Sequence, residues 1–107
     1  MTIELNRDNY EKETKNGDLP IMVDFWGPLC GPCLALMPFV DKLEEEYKDQ
    51  VRIAKLNVTQ NRMVCARLRV MSVPTFIFYK DGEEYKRLTG ETIDECAILG
   101  AMDELLS

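Results

Sequence analysis

The segment IMVDFW, at residues 21–26, constrains the fold of this chain more than any other feature of the sequence. Asp24 is its one charged side chain, and the other residues of the run are apolar. A short apolar run without alternation is typical of a strand that is buried on both faces of a sheet. Because both faces then need a cover, the run predicts a layered α/β fold with helices on each side.

The rest of the chain supplies further strands and helices in an alternating order. Asn6 or Asp8 can cap a first helix that runs to about Thr14, and Asp81-Gly82 is a strong hairpin signal. The predicted order is β-α-β-α-β-α-β-β-α, with strands at 3–5, 21–26, 51–58 and twice within 72–90, and later helices at about 33–47, 61–70 and 91–107. This order predicts a mixed sheet, parallel where helices connect the strands and antiparallel at the final hairpin.

Length and composition limit the classes of function. A chain of 107 residues indicates a single domain, 1–107, and a net charge of -6 argues against nucleic-acid and anionic-membrane partners. The first residues contain no basic start followed by an apolar stretch, and no apolar run reaches membrane-spanning length. We therefore expect no signal peptide and a cytoplasmic location, where a CxxC pair is more often catalytic or metal-binding than structural.

Cys30 and Cys33 lie where the buried strand turns into the long predicted helix. A helix N-terminus favours a thiolate, which is the form of cysteine that attacks disulfides. The spacing puts both thiols on one side of the first turn, so that they can form a disulfide. Pro32 suits a first helical turn and stiffens the ring, and Gly31 lets a partner backbone approach.

This arrangement predicts dithiol–disulfide exchange, in which Cys30 attacks a target disulfide and Cys33 then releases the reduced target. Half of a zinc site is an alternative, but it would need a second CxxC or histidines. Cys65 and Cys96 are isolated, and the chain has no histidine. A purely structural disulfide is the other alternative, and it is unusual in a cytoplasmic chain.

Several motifs taken together resemble the thioredoxin family. In chain order they are VDFWGPLCGPC, Pro38, AKLNV, SVPTF, KDG and Gly90. The resemblance implies a thioredoxin fold, with a mixed sheet of four to five strands flanked by four helices. It also implies reduction of protein disulfides without a cofactor or a metal, and a thioredoxin reductase that recharges the chain.

The resemblance assigns roles to two further charged residues. Asp24 would lie beneath Cys33 and accept its proton, and Lys55 would approach Asp24 and tune it. Burial within an apolar strand would raise the pKa of Asp24 toward neutral pH, which suits a proton acceptor. The alternative is an Asp24 at the end of the strand in water, with Lys55 on the surface.

The resemblance also implies a substrate-binding surface around the two sulfurs, formed by Trp26, Leu29, Gly31, Pro32, Val73, Pro74 and Gly90. Pro74 would be cis, and would expose the backbone of Val73 for pairing with a substrate strand. The residues alone allow a simpler interpretation, in which Pro74 is the first residue of a strand and Trp26 is a core aromatic.

At three positions this chain has a residue that differs from the one that family members commonly carry. Leu29 replaces a tryptophan, Leu34 replaces a lysine, and Thr59 replaces an aspartate. The rim of the site therefore becomes more apolar and less basic. We expect a monomer whose thiol chemistry persists and whose choice of partners changes, so a reductant dedicated to one partner is the alternative to a general one.

Two cysteines lie outside the motif. Cys65 falls on the apolar face of its predicted helix with Val64 and Leu68, and we expect it in the core. Cys96 falls off the apolar face of the last helix. We expect it to be exposed, either as an ordinary surface thiol or as a site of oxidation or dimer formation.

Overall fold

The structure, a computed structural model, describes residues 2–107 and has the α/β architecture that the sequence predicts. Five strands and four α-helices alternate along the chain, and a short 3-10 helix at Val58–Gln60 follows the third strand. The elements are β1 (Ile3–Glu4), α1 (Tyr10–Lys15), β2 (Ile21–Trp26), α2 (Gly31–Glu46), β3 (Arg52–Asn57), α3 (Arg62–Leu68), β4 (Thr75–Lys80), β5 (Glu83–Thr89) and α4 (Glu95–Leu106).

The five strands form one mixed sheet with the order β1-β3-β2-β4-β5. β3 pairs in parallel with both β1 and β2, whereas β4 is antiparallel to both β2 and β5. The parallel pairs are those connected through helices, and the antiparallel β4–β5 pair is the hairpin at Asp81-Gly82. The predicted fold class, with four helices around the sheet, is therefore confirmed.

Side chains on the two faces of the sheet form two separate cores. On β2, Ile21, Val23 and Phe25 pack in the layer that contains Tyr10 of α1 and residues of α3. Met22 packs on the opposite face, in the layer that contains residues of α2 and α4. The alternation along β2 thus buries both of its faces, which explains why the run is apolar throughout.

Several predicted ends of helices and strands are wrong by a few residues, and side-chain caps at Cys30 and Asp94 determine where two of the helices begin. α2 begins at Gly31 rather than at Cys33, with Cys30 as its N-cap. α1 begins after Asn9, whose side chain makes no capping bond, so the predicted start after Asn6 or Asp8 is too early; the Asn6 side chain accepts the backbone N–H groups of Asp8 and Asn9 in the turn before the helix. Other differences include an α4 that begins at Glu95, after the cap at Asp94, an α3 that ends at Leu68, and a β3 that ends before Val58.

Alanine at two glycine positions is expected to change the free energy of unfolding in opposite directions. Gly82 has a φ of +80°, and an added Cβ would lie 3.1 Å from the carbonyl oxygen of Lys15. Gly82→Ala should therefore destabilise the protein by about 1–2 kcal/mol. Gly100 lies inside α4, where an added Cβ would meet nothing within 4 Å, so Gly100→Ala should stabilise it by about 0.5–1 kcal/mol.

Urea unfolding of the parent and both variants measures these differences. A Gly82→Ala variant that is as stable as the parent would show that the turn after β4 can be rebuilt without strain.

Candidate active site

The candidate site lies at one edge of the sheet, where four strand ends meet. β2 and β3 are parallel and end at this edge, and β4 runs antiparallel to β2 and begins there. β5 is antiparallel to β4 and ends at the same edge. The loops that follow Asn57, Trp26 and Thr89, and the loop that precedes Thr75, therefore lie close to one another.

A disulfide joins Cys30 to Cys33 at the start of α2, with their Cα atoms 5.3 Å apart. Cys30 has an extended backbone, and its sulfur accepts a hydrogen bond from the Cys33 N–H at 3.2 Å. Gly31 and Pro32 form the first turn, where an N–H has no helical partner, so Pro32 removes no helical hydrogen bond. Cys30 is partly exposed and Cys33 is buried, so a molecule arriving from solvent meets the Cys30 sulfur first.

Asp24 is buried in the sheet, with 2% of its surface exposed. Phe25 packs toward α1 and α3 and Met22 packs toward α2 and α4, so the alternation of β2 puts Asp24 on the α2 side. Cys33 lies seven residues before Val40, which packs on the same layer, and this spacing puts both on one face of α2. Asp24 and Cys33 therefore both point into the layer between β2 and α2.

The surroundings of Asp24 favour its neutral form. Burial raises the pKa of Asp24 to about 7, while the charge of Lys55 lowers that pKa and the charge of Asp41 raises it. A carboxyl group with this pKa can both accept and release a proton near neutral pH.

Lys55 is positioned between two carboxyl groups. It is the register partner of Asp24 across β2 and β3, so the two residues lie side by side. Its ammonium group, however, donates a hydrogen bond to the Asp41 carboxylate of α2 at 2.5 Å, and its side chain is largely buried. The direct partner of Lys55 is therefore Asp41, which the sequence analysis did not single out.

The loop before β4 lies beside the start of α2. The Val73–Pro74 peptide bond is cis, Pro74 is buried and Val73 is half-buried. The Gly90 N–H donates a hydrogen bond to the Pro74 carbonyl at 3.0 Å, and Gly90 has a φ of +111°, which a glycine adopts without strain. This hydrogen bond connects the loop before β4 to the loop after β5.

A groove surrounds the exposed sulfur, and we call it the Cys30 groove. Its lining residues are Gly27, Leu29, Cys30, Gly31, Pro32, Val58, Thr59, Val73 and Glu91. Four of the residues expected around the sulfurs, Leu29, Gly31, Pro32 and Val73, line this groove, whereas Pro74 and Gly90 do not. Trp26 instead lines a neighbouring groove with Lys55 and Asn57.

The rim of the site is apolar. Leu29, which lines the Cys30 groove, is 96% exposed, Met71, two residues before Val73, is 89% exposed, and Leu34, next to Cys33, is also exposed. Large apolar side chains with this exposure close to one reactive group are typical of a surface that binds other molecules.

Sequence reasoning missed two charged residues of this region. Asp41 follows Val40, a residue of the apolar face of α2, and that adjacency was the only available signal. Glu91 follows Gly90, which belongs to the recognised motifs, so its neighbour could have been considered. In both cases the contact depends on how distant elements pack.

The remaining cysteines are free, with Cys65 buried and Cys96 exposed, as predicted. Within residues 2–107, no group of three or more His, Cys, Asp or Glu side chains is arranged to hold a metal ion. The same part of the chain contains no helix that is long and apolar enough to cross a membrane.

Comparison with known proteins points to one family. The family model described as Thioredoxin matches residues 1–104. The chain is 41% identical over 88 residues to "Thioredoxin" of Acetoanaerobium sticklandii, covering 82% of this chain and 84% of that protein. It is 38% identical over 82 residues to "Thioredoxin" of Porphyra purpurea, covering 77% of both, and 32% identical over 97 residues to "Thioredoxin 1" of Synechococcus elongatus, covering 91% and 90%.

The family model covers the whole candidate site, including both cysteines and the loop at Pro74, and the matched segments cover most of each relative. The disulfide at the start of α2 fits the CGPC type of active site, and with these relatives it supports dithiol–disulfide exchange and protein-disulfide reductase activity. This chain is a dithiol–disulfide oxidoreductase of the thioredoxin type and belongs to the thioredoxin family.

Proposed function

We propose that this chain reduces disulfides of other proteins with Cys30 as the attacking thiolate and Cys33 as the resolving one. The observation that carries the assignment is the difference in exposure within one disulfide. The Cys30 sulfur opens into a groove, whereas Cys33 is buried behind it.

The reaction consists of two exchange steps. The Cys30 thiolate attacks one sulfur of a target disulfide, the target's S–S bond breaks, and its other sulfur leaves as a thiolate that takes up a proton. The Cys33 thiolate then attacks the Cys30 sulfur and releases the second target thiolate. Two electrons have passed to the target, and the chain is left with the Cys30–Cys33 disulfide.

The position of Cys30 supports the first step. α2 has 16 residues, and its N-terminus presents unpaired N–H groups and the positive end of the helix dipole to the Cys30 sulfur. The Cys33 N–H already points at that sulfur. The helix N-terminus and the Cys33 N–H both stabilise a thiolate at Cys30, and the thiolate is the reactive form of cysteine.

Asp24 supports the second step as the proton acceptor for Cys33. Both groups lie in the layer between β2 and α2, and a carboxyl group with a pKa of about 7 can take a proton from a buried thiol. Lys55 tunes Asp24 through its charge, and Asp41 limits that effect because it binds the ammonium group directly.

We further propose that targets bind as extended segments along the Cys30 groove. Val73, beside the cis Pro74, is partly accessible there, so its backbone can pair with a target strand. An added Cβ at Gly31 would meet nothing within 4 Å, which indicates open space for a target backbone over the first turn of α2. Pro32 and Leu29 complete the surface, and Trp26 and Gly90 support it from outside the groove.

Membership of the family implies, in general, protein disulfides as substrates and a reductase as electron source. We propose that a thioredoxin reductase recharges this chain in the cytoplasm. Residues 1–107 act as a monomeric single domain in this proposal. The reaction involves no cofactor, metal, nucleic acid or membrane. The apolar rim at Leu29 and Leu34 supports a choice of partners that differs from that of relatives with basic or aromatic residues there.

Replacing each cysteine alone separates the two roles. Cys30→Ser should reduce insulin only at the background rate of dithiothreitol, because no attacking thiolate remains at the groove. Cys33→Ser should form mixed disulfides with targets that persist, because nothing resolves them. Insulin turbidity measures the first effect, and non-reducing gels of trapped targets measure the second.

Cys96→Ser is the matched control, because it removes an exposed free thiol outside the site. It should leave both readouts as in the parent. A Cys30→Ser variant as active as the parent would contradict the assignment. Many trapped proteins would support a general reductant, and a single one would support the dedicated alternative.

The burial of Asp24 predicts a pH-dependent stability difference. The pKa of Asp24 is raised from 3.8 to about 7, so the folded state holds a proton that the unfolded state has lost between these values. Stability of the parent should therefore fall, relative to Asp24→Asn, as pH rises through this window. The pH-dependent part of this difference should reach about 4 kcal/mol above the pKa of Asp24 in the folded state and vanish below its pKa in the unfolded state.

Urea unfolding of the oxidised protein at a series of pH values measures this difference. Asp49→Asn, at an exposed position, is the control, and its curve should run parallel to that of the parent. A difference for Asp24→Asn that does not change with pH would show that Asp24 does not titrate in this window.

The Asp41–Lys55 pair predicts a shift of the same titration. In Asp41→Asn the negative charge is lost and Lys55 is freed to approach Asp24, and both changes lower the pKa of Asp24. The pH-dependent stability change should then move to lower pH, as should the pH profile of insulin reduction. Glu45→Gln, one turn further along α2 and exposed, should move neither. An unshifted profile in Asp41→Asn would show that Asp41 has no influence on Asp24.

A further inference from the structure

We propose that Glu91 makes the Cys30 groove select target disulfides that carry a basic side chain near the attacked cysteine. This inference rests on the proposed function, because it concerns the substrates of the same site. It assigns a specificity-determining role to Glu91, which is not part of the motifs described above and takes no part in the thiol chemistry.

The order of the strands sets the direction of the groove. Thr59 follows β3, Cys30 follows β2, Val73 precedes β4 and Glu91 follows β5, and the strand order puts them in this sequence along the sheet edge. The reactive sulfur therefore lies between a neutral end at Thr59 and an acidic end at Glu91.

The charge of Glu91 is not balanced within the groove. It is the one charged side chain among the nine residues that line it, and the others are apolar residues, glycines, a proline, a threonine and Cys30 itself. None of the ion pairs found in residues 2–107 involves Glu91. A cationic group on a bound molecule would thus be the partner of this carboxylate.

The backbone holds Glu91 at the groove. On one side of it, the Gly90 N–H is bonded to the Pro74 carbonyl at 3.0 Å. On the other side, the Ile93 N–H is bonded to the Gly90 carbonyl at 3.3 Å, and Ile93 packs against the core beneath α2 and α4. The carboxylate is therefore carried by an anchored turn rather than by a free loop.

The distance across the sheet edge indicates where the basic residue should be. Glu91 follows β5, and β5 lies two strands away from β2, which precedes Cys30. The spacing of strands makes this distance across the sheet about 10 Å, or about three residues of an extended chain. A lysine about two residues from the attacked cysteine would reach the carboxylate with its side chain. The exposed Leu29 and Met71 favour apolar side chains elsewhere in the same segment. The occupant is thus an extended polypeptide segment with a cystine, an adjacent basic residue and apolar neighbours.

The test compares two symmetric peptide disulfides that differ only in carrying lysine or glutamate two residues to either side of the cysteine. The reduced protein is mixed with each peptide at low salt, and the rate of reduction of the peptide disulfide is measured. The ratio of the rate for the lysine peptide to the rate for the glutamate peptide is then divided by the same ratio measured with dithiothreitol as the reductant. This division removes the effect of the peptide charges on the thiol chemistry itself.

Glu91→Lys should lower the normalised ratio about tenfold relative to the parent, and Glu91→Gln should give an intermediate value. Glu83→Lys is the matched control, because Glu83 is also exposed but begins β5, about 20 Å away along the strand. It should lower the ratio less than twofold. The preference of the parent should also shrink as salt is added, since exposed charges are screened.

Equal ratios in Glu91→Lys and Glu83→Lys would overturn the inference and leave the proposed function intact, because the parent would still reduce both peptides. A parent that reduces neither peptide would overturn the proposed function, and with it the inference that rests on it.

Discussion

Strand β2 lies inside the sheet with both faces covered, and the rest of the molecule is arranged around this burial. Its apolar residues from Ile21 to Phe25 are at most 1% exposed. The chain can leave such a strand only at the edge of the sheet, where it turns within a few residues into α2. The two cysteines lie at that turn, so core packing rather than a mobile loop determines where the reactive sulfur is held.

The burial of β2 gives Asp24 opposite requirements for the stability of the fold and for the proposed chemistry. An apolar side chain in place of Asp24 would suit the layer between β2 and α2 better, since an ionised carboxyl group is costly to bury. The proposed proton transfer from Cys33 gives this cost a function. Lys55 could lower the cost by pairing with Asp24, yet its hydrogen bond goes to Asp41. The packing of α2 on β3 thus helps to keep the pKa of the Asp24 carboxyl group near neutral, where a proton acceptor needs it.

Features with a local cause could be predicted from the sequence, and features with a tertiary cause could not. The apolar run at 21–26, the hairpin at Asp81-Gly82 and the cysteines at a strand-to-helix turn each depend on neighbouring residues, and they were enough for the fold class. The cis bond at Pro74 was expected only through the family resemblance, because an isolated proline also fits the start of a strand. The start of α2 depends on the extended backbone of Cys30, which the sequence permits but does not specify. The contact of Lys55 with Asp41 and the presence of Glu91 in the groove depend on packing between distant segments.

The different exposure of the two sulfurs also limits how electrons can pass through the molecule. Cys33 is buried and the Cys30 sulfur opens into the Cys30 groove, so under the proposed mechanism an electron donor and an electron acceptor both approach through that groove. They cannot be bound at the same time, and each has to dissociate before the other arrives. The proposed mechanism therefore implies ping-pong kinetics, in which an excess of either partner slows the turnover of the other by occupying the shared groove.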